Sequence, residues 1–251
     1  MSYDFAFTSD SIDYYLRALG REFRKLNGKN MRAELVLVGG ASVLVNYGFR
    51  DSTYDIDAVI AASSAMKDAI NNVGERLGLP RGWLNSDFTR TESFSPKLVQ
   101  YSNYYKTFSN ILEVRTVAAE YLIAMKLMAG REYKNDQTDI IGIINEHERT
   151  GHPITREMIV SAAETLYGGW PVLPKSSRSL LDKIIVVDDL NGLYLQYRES
   201  ESAARDILSE FHAKRAAGAN GLKPASAQDI LDIARNKMNK TARAAKEGND
   251  D

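Results

Sequence analysis

Apolar residues first recur at helical spacing at Ile12, Leu16, Leu19, Phe23 and Leu26. This periodicity predicts a helix over Asp10–Asn27, with Ser9, Asp10 and Ser11 as candidate caps. Glu34–Val38 (ELVLV) reads as a short buried strand that stops at Gly39-Gly40, and a brief helix over Ala41–Tyr47 follows. Tyr54–Ile60 (YDIDAVI) alternates like a second strand, and Ser63–Leu77 is patterned as a helix that Pro80-Arg81-Gly82 breaks.

The middle of the chain is richer in strand formers. Lys97–Asn103 and Asn110–Thr116 read as two further strands. A helical hairpin is expected next, over Val117–Met128, stopped by Gly130, and Asp136–Glu148. Pro153 opens another helix to Tyr167, closed by Gly168-Gly169. From Leu173 onward the pattern is helical, with an amphipathic stretch over Asp188–Arg215. The linker AAGANGLKPAS then precedes a last helix over Ala227–Lys246. The succession implies an α/β or α+β fold: a small mixed sheet with helices packed on it, followed by a helical C-terminal region. Gly and Pro cluster between Gly168 and Pro174, dividing the chain into units 1–170 and 171–251.

At 251 residues, with 44% hydrophobic and 26% charged, the chain can bury a core without disulfides or structural metal. It has no cysteine, which excludes thiolate zinc sites and cysteine nucleophiles and fits a reducing compartment. Three scattered histidines do not suggest a histidine metal site. A net charge of −1 gives no global pull toward nucleic acid or membrane. The start MSYDFAFTSD lacks the pattern of a signal peptide, and no apolar run approaches a membrane span. The expectation is a cytoplasmic protein with no membrane partner.

The most informative segment is Val38–Ile60 (VGGASVLVNYGFRDSTYDIDAVI). Asp55 and Asp57 are two apart in a strand pattern, so both side chains are expected on one face, with Ile56 packed on the other. Neighbouring carboxylates repel, and a divalent cation between them relieves the repulsion; oxygen ligands suit Mg2+ or Mn2+. Glycines directly after a strand let the backbone approach a phosphate, and the first turn of the next helix offers free N–H groups to it. Gly39, Gly40 and the Ser42 hydroxyl are therefore candidates for nucleotide phosphates. Either motif alone also occurs as a plain turn. Their occurrence together in one unit is what points to a nucleotide site.

The strand, Gly39-Gly40, helix, Asp55-x-Asp57 arrangement resembles the DNA-polymerase-beta-like nucleotidyltransferase superfamily, with a slightly long spacer between Gly40 and Asp55. The run Arg50-x-x-Thr53-x-Asp55-Ile56-Asp57 resembles AbiE-type toxin nucleotidyltransferases and their MenT relatives. The resemblance covers roughly Glu34–Ile144. It implies a nucleotidyltransferase core that moves a nucleoside monophosphate from an NTP co-substrate to an acceptor. In the toxin group it also implies a tRNA 3′ end as acceptor and a cognate antitoxin partner. Arg50 and Thr53 then flank the site.

Lys126 lies in a strongly apolar helix, AAEYLIAMKLMAG. Either its stem is packed and its ammonium snorkels outward, or the ammonium serves triphosphate oxygens. Asp136 and Asp139 are neighbours on the first turn of the following helix, where Asp136 could equally act as a cap. The toxin relatives resemble the chain here as well, which makes Asp139, then Asp136 and Arg131, candidate site residues. A third metal carboxylate, common in the superfamily, could be Glu113, although a plain ion pair with Arg115 explains it as well. Between Ala213 and Lys246, eight Lys/Arg face two Asp, a patch suited to RNA phosphates or to a solvated helix. Transfer to a protein or a small molecule such as an aminoglycoside, and a degenerate nucleotide-binding antitoxin or scaffold, remain alternatives.

Overall fold

The computed structural model describes residues 5–131 and 135–202. The expected C-terminal helix, its basic patch and the end of the amphipathic stretch before it lie outside them. The described residues form a mixed sheet with helices packed on it, the class that the pattern predicts, with five strands and eight α-helices.

Helix α1 (Ser9–Asn27) starts one residue earlier than expected, because Thr8 and Ser11 form a reciprocal capping box. Strand β1 (Ala33–Leu37) leads into α2 (Gly39–Asn46), so both glycines belong to the first turn of the helix rather than to a loop before it. Strand β2 (Ile56–Ala61) and helix α3 (Ala65–Leu77) follow. Gly78, in the left-handed conformation, ends α3 before Pro80 is reached. A two-residue strand β3 (Leu84–Asn85), too short to give a pattern, borders β2.

Lys97–Val99 is not strand, as the sequence pattern suggests, but part of a 3-10 helix, Pro96–Val99, which Pro96 opens. The strand proper, β4, is Ser102–Phe108, and β5 is Leu112–Val117. The remaining helices are α4 (Ala119–Ala129), α5 (Asp136–Arg149), α6 (Arg156–Tyr167), α7 (Lys175–Ile184) and α8 (190–202). No described helix is long and apolar enough to cross a membrane.

The strand order is β3-β2-β1-β5-β4, with β1 antiparallel to β2 and parallel to β5. Alternation divides the sheet into two faces. Leu35, Leu37, Ile56, Ala58, Leu112 and Val114 face α1 and α3, where Ile12, Leu16, Leu19 and Phe23 are fully buried. Each such side chain contributes about 1.5–3 kcal/mol by leaving water. The opposite face carries Val36, Val38, Val59 and Val117, covered by α4, α5 and α6. Helix α4 is apolar all round, and Leu122–Leu127 are all buried. That is why it lies in the centre of the helical layer, and why a lysine on it is withdrawn from solvent.

Candidate active site

The glycine turn is the geometric centre of the site. Gly39 has φ 54°, a conformation that disfavours a side chain. Its neighbours show why none would be useful here. Asp57 Oδ2 lies 3.8 Å from the point that a Cβ on Gly39 would occupy. A Cβ on Gly40 would stand 2.7 Å from Thr53 Oγ1 and 2.8 Å from Arg50 Nη2, closer than atoms approach. The turn is thus flanked by a carboxylate at Gly39 and a guanidinium at Gly40.

Asp57 is placed by the sheet. Val38 N–H donates to the Asp57 carbonyl at 3.0 Å, which continues the β1–β2 ladder to the level of the turn. Its side chain shares the sheet face of Val59, and it is half-buried. Asp55 lies just before β2 rather than within it, because pairing starts at Ile56. It is exposed, and its carboxylate has no ion pair or hydrogen bond among the described residues. Ile56 and Ala58 are buried on the opposite face, as the alternation predicts.

The loop from Phe49 to Asp55 is tied down from three sides and braced by one bond of its own. Thr53 makes an antiparallel bridge with Phe7, donating and accepting at 2.9 and 2.7 Å. Thr53 Oγ1 donates to the Asp55 carbonyl at 3.2 Å. Tyr194 on α8 donates its hydroxyl to the Phe49 carbonyl at 2.9 Å, and Arg198 donates to Asp51 at 2.5 Å. From α5, Asp139 accepts from Arg50 Nη1, whose Nε also donates to the Ser52 carbonyl at 3.0 Å. None of Phe7, Tyr194 and Arg198 is suggested by sequence reasoning, since no local motif links them to a site so distant in the chain.

Behind Arg50 lies a buried ionic cluster. The Lys126 ammonium is 2.7 Å from Asp139 Oδ2 and 2.9 Å from Asp136 Oδ1. Arg131 Nε donates to Asp136 Oδ2 at 2.8 Å. Lys126, Asp136 and Asp139 are each no more than 4% exposed. Burial by itself pushes the Lys126 pKa down, but Asp136 and Asp139 together outweigh it and hold the group above its ordinary value. For Asp136 burial pushes the carboxyl up, and Lys126 and Arg131 reverse this to a net lowering. Lys126 and Asp136 thus each hold the other in its charged form. Lys126 therefore neither snorkels to the surface nor points freely into a cleft; its link to the glycine turn passes through Asp139 and Arg50. A small cavity of about 40 Å³ adjoins it, lined also by Arg131, Asp136, Gln137 and Ser177.

The remaining candidates are distributed as follows. Ser42 is wholly buried in α2, and its hydroxyl has no partner among the described residues. Glu113 is not brought to the aspartate pair. It sits opposite Glu34 in the β1–β5 register, and Glu34 in turn pairs with Ala61, four residues along β2 from Asp57. At roughly 3.3 Å per residue that displacement is about 13 Å. Glu113 accepts from Arg115 Nη1 at 3.2 Å instead. The β5 residue nearest the level of Asp57 is Val117, which has no acid to offer. Among the described residues, no cluster of three or more metal-binding side chains occurs.

The sheet order, the glycine turn and the Asp57 carboxylate beside it together describe the frame of a nucleotidyltransferase core. Residues 15–167 match the family model described as nucleotidyltransferase of unknown function (DUF6036), and the chain belongs to that family. No curated protein and no solved structure matches it.

Proposed function

We propose that the protein transfers a nucleoside monophosphate from an NTP to an acceptor hydroxyl, releasing pyrophosphate, with the Gly39-Gly40 turn as the phosphate site. The observation that carries this reading is the pairing of opposite charges across the turn, Asp57 at Gly39 and Arg50 at Gly40. An NTP–metal complex presents both charges together, and such a turn suits both.

The donor set fits Mg2+ or Mn2+. Two carboxylates, from Asp55 and Asp57, with phosphate oxygens and water completing the shell, match the way Mg2+ is usually held at triphosphates. When bound, the ion supplies charge neutralisation at the phosphates. Arg50, with its guanidinium fixed by Asp139 and the Ser52 carbonyl, meets the triphosphate at Gly40 and stabilises charge that builds on the leaving pyrophosphate. The backbone N–H groups of the α2 first turn bind a phosphate oxygen. The acceptor oxygen bonds to the α-phosphorus as the bond to pyrophosphate breaks, and the acceptor proton leaves to solvent, since Glu113 is remote. Thr53 holds the Asp55 backbone, and Lys126, Asp136 and Arg131 keep Asp139 in place behind Arg50.

For the acceptor we propose the 3′ end of tRNA, and for the biological setting the toxin of a toxin–antitoxin pair with a cognate antitoxin. Support comes from the run Arg50-x-x-Thr53-x-Asp55-Ile56-Asp57 and from the lysine and Asp-x-x-Asp that follow it, which resemble the AbiE-type and MenT toxins. The test is incubation with labelled NTPs, Mg2+, total tRNA and cell extract. Label is expected on tRNA, and it should vanish in Asp57→Asn while the variant melts no lower than wild type. Label on protein or small molecules would replace the acceptor, and an active Asp57→Asn would remove the reaction itself.

A further inference from the structure

Helix α8 touches the chain neighbours of both members of the Arg50–Asp139 pair. It packs through Leu190, Leu193, Tyr194 and Tyr197 against the helical layer, an apolar stripe at helical spacing. Along that stripe, Tyr194, Arg198 and Glu201 fall at i, i+4 and i+7 and so share one flank. Tyr194 is 8% exposed and donates its hydroxyl to the Phe49 carbonyl at 2.9 Å. That carbonyl and the Arg50 N–H belong to one planar peptide, so the bond fixes the plane from which Arg50 springs. Arg198 pairs with Asp51, directly after Arg50. Glu201 accepts from the Thr138 N–H at 3.3 Å, directly before Asp139. This N–H lies in the first turn of α5, where the helix itself offers no acceptor. Burial holds the Tyr194 pKa above its ordinary 10.0, although Arg198 pulls the other way, so the hydroxyl keeps its proton at neutral pH.

We propose that Tyr194 is a positioning residue for nucleotidyl transfer: through the Phe49 carbonyl it aims the Arg50 guanidinium at the triphosphate over Gly40. This rests on the reading of the glycine turn as the phosphate site. Asp139 and the Ser52 carbonyl hold the guanidinium itself, and both bonds require the Arg50 backbone to be in place. A planar guanidinium meets phosphate oxygens with its N–H groups in a fixed fork, so a small turn of its backbone spoils the fit. Arg198 contributes less, because the side chains of its pair with Asp51 are 51% and 78% exposed. The Phe49 ring, set edge-on to the Tyr194 ring with centroids 5.7 Å apart, keeps the hydroxyl in line with its acceptor.

The test compares wild type, Tyr194→Phe, Arg50→Gln and the double variant for calorimetric binding of tripolyphosphate with Mg2+. Tyr194→Phe keeps the ring against Phe49 and removes only the hydroxyl, so its Tm should stay within about 4 °C of wild type. Its affinity should fall about threefold to tenfold, the share of one hydrogen bond. In the Arg50→Gln background the same substitution should cost nothing further, because the group it aims is gone. An equal loss in both backgrounds would make the role of Tyr194 merely structural and overturn the proposal. So would an unchanged affinity in Tyr194→Phe. The Arg50 Nε–H signal in a nitrogen NMR spectrum, assigned by its loss in Arg50→Gln, reads the same aim without ligand. It should be sharp and slow to exchange in wild type and broadened in Tyr194→Phe, and an identical signal in both would overturn the proposal. If wild type does not bind tripolyphosphate, the phosphate reading of the turn falls; a broadened signal then still supports the positioning of Arg50, and an unchanged one overturns it.

Discussion

Arg50 donates through Nη1 to Asp139, a residue 89 positions further along the chain. One carboxylate thereby orients the cation at the glycine turn and, at 2.7 Å, also neutralises the Lys126 ammonium. The glycine turn and the helical layer behind it are thus electrostatically one unit, although they come from different parts of the sequence.

Removing that shared charge tests the unit. Asp139→Asn should lower stability by about 3–5 kcal/mol, because breaking a buried pair leaves charges uncompensated. Urea denaturation reads this directly. In the soluble folded fraction, NTP affinity should fall about tenfold as Arg50 loses its anchor. A variant with unchanged stability would place the cluster's energetics elsewhere.

The same cluster shapes stability against pH. Asp136 is held below its ordinary 3.8, so its contribution is complete above that value and is lost as pH falls through its lowered folded pKa. Lys126 is held above 10.5, so its contribution is complete below that value and is lost as pH rises through its raised folded pKa. Thermal melts should show a plateau across neutral pH, with this cluster's share falling away only at the two extremes. A step near neutrality in melts of wild type that is absent in Lys126→Met would contradict the assigned directions.

Gly40→Ala would bring a methyl group to 2.8 Å from Arg50 Nη2 and 2.7 Å from Thr53 Oγ1. The far end of arginine can swing aside, whereas Thr53 is fixed by its bridge to Phe7. The expected cost is about 1–3 kcal/mol of stability together with displacement of the guanidinium. Calorimetric titration with a non-hydrolysable NTP analogue should show weakened binding. Full affinity would remove Arg50 from the phosphate site.

Gly142→Ala tests the support of the loop without touching the site. A Cβ there would lie 2.6 Å from Phe49 Cε2. Phe49 is stacked on Tyr47 and set edge-on to Tyr194, so it has little room to yield. A loss of about 1–3 kcal/mol in chemical denaturation is expected. Gly142→Ala/Phe49→Leu should recover part of that loss, since the smaller side chain vacates the contact.

Periodicity alone determines most of the architecture: the stripe of Ile12, Leu16, Leu19 and Phe23 defines α1, and ELVLV before Gly39-Gly40 defines β1 and its exit. Alternation around Ile56 also determines that Asp57 lies on the face away from the α1 layer. These features are local, since a helix turn and a strand pleat each repeat within a few residues. Where local signals compete or run short, the pattern misleads. Pro96 turns Lys97–Val99 into a 3-10 helix despite its strand-forming residues, and Leu84–Asn85 is too short to alternate visibly.

What only the tertiary structure decides is which charges meet. The sequence marks Lys126 as a lysine in apolar surroundings but leaves open whether it snorkels or serves a ligand; packing of α4 against α5 encloses it between Asp136 and Asp139. It marks Glu113 as the acid on a later strand, but the parallel β1–β5 register slides that acid four positions from Asp57. It gives no sign that Phe7, Tyr194 and Arg198 hold the Phe49–Asp55 loop. Side-chain direction follows from the backbone repeat of a single element, whereas register and ion pairing depend on how separate elements are placed in space.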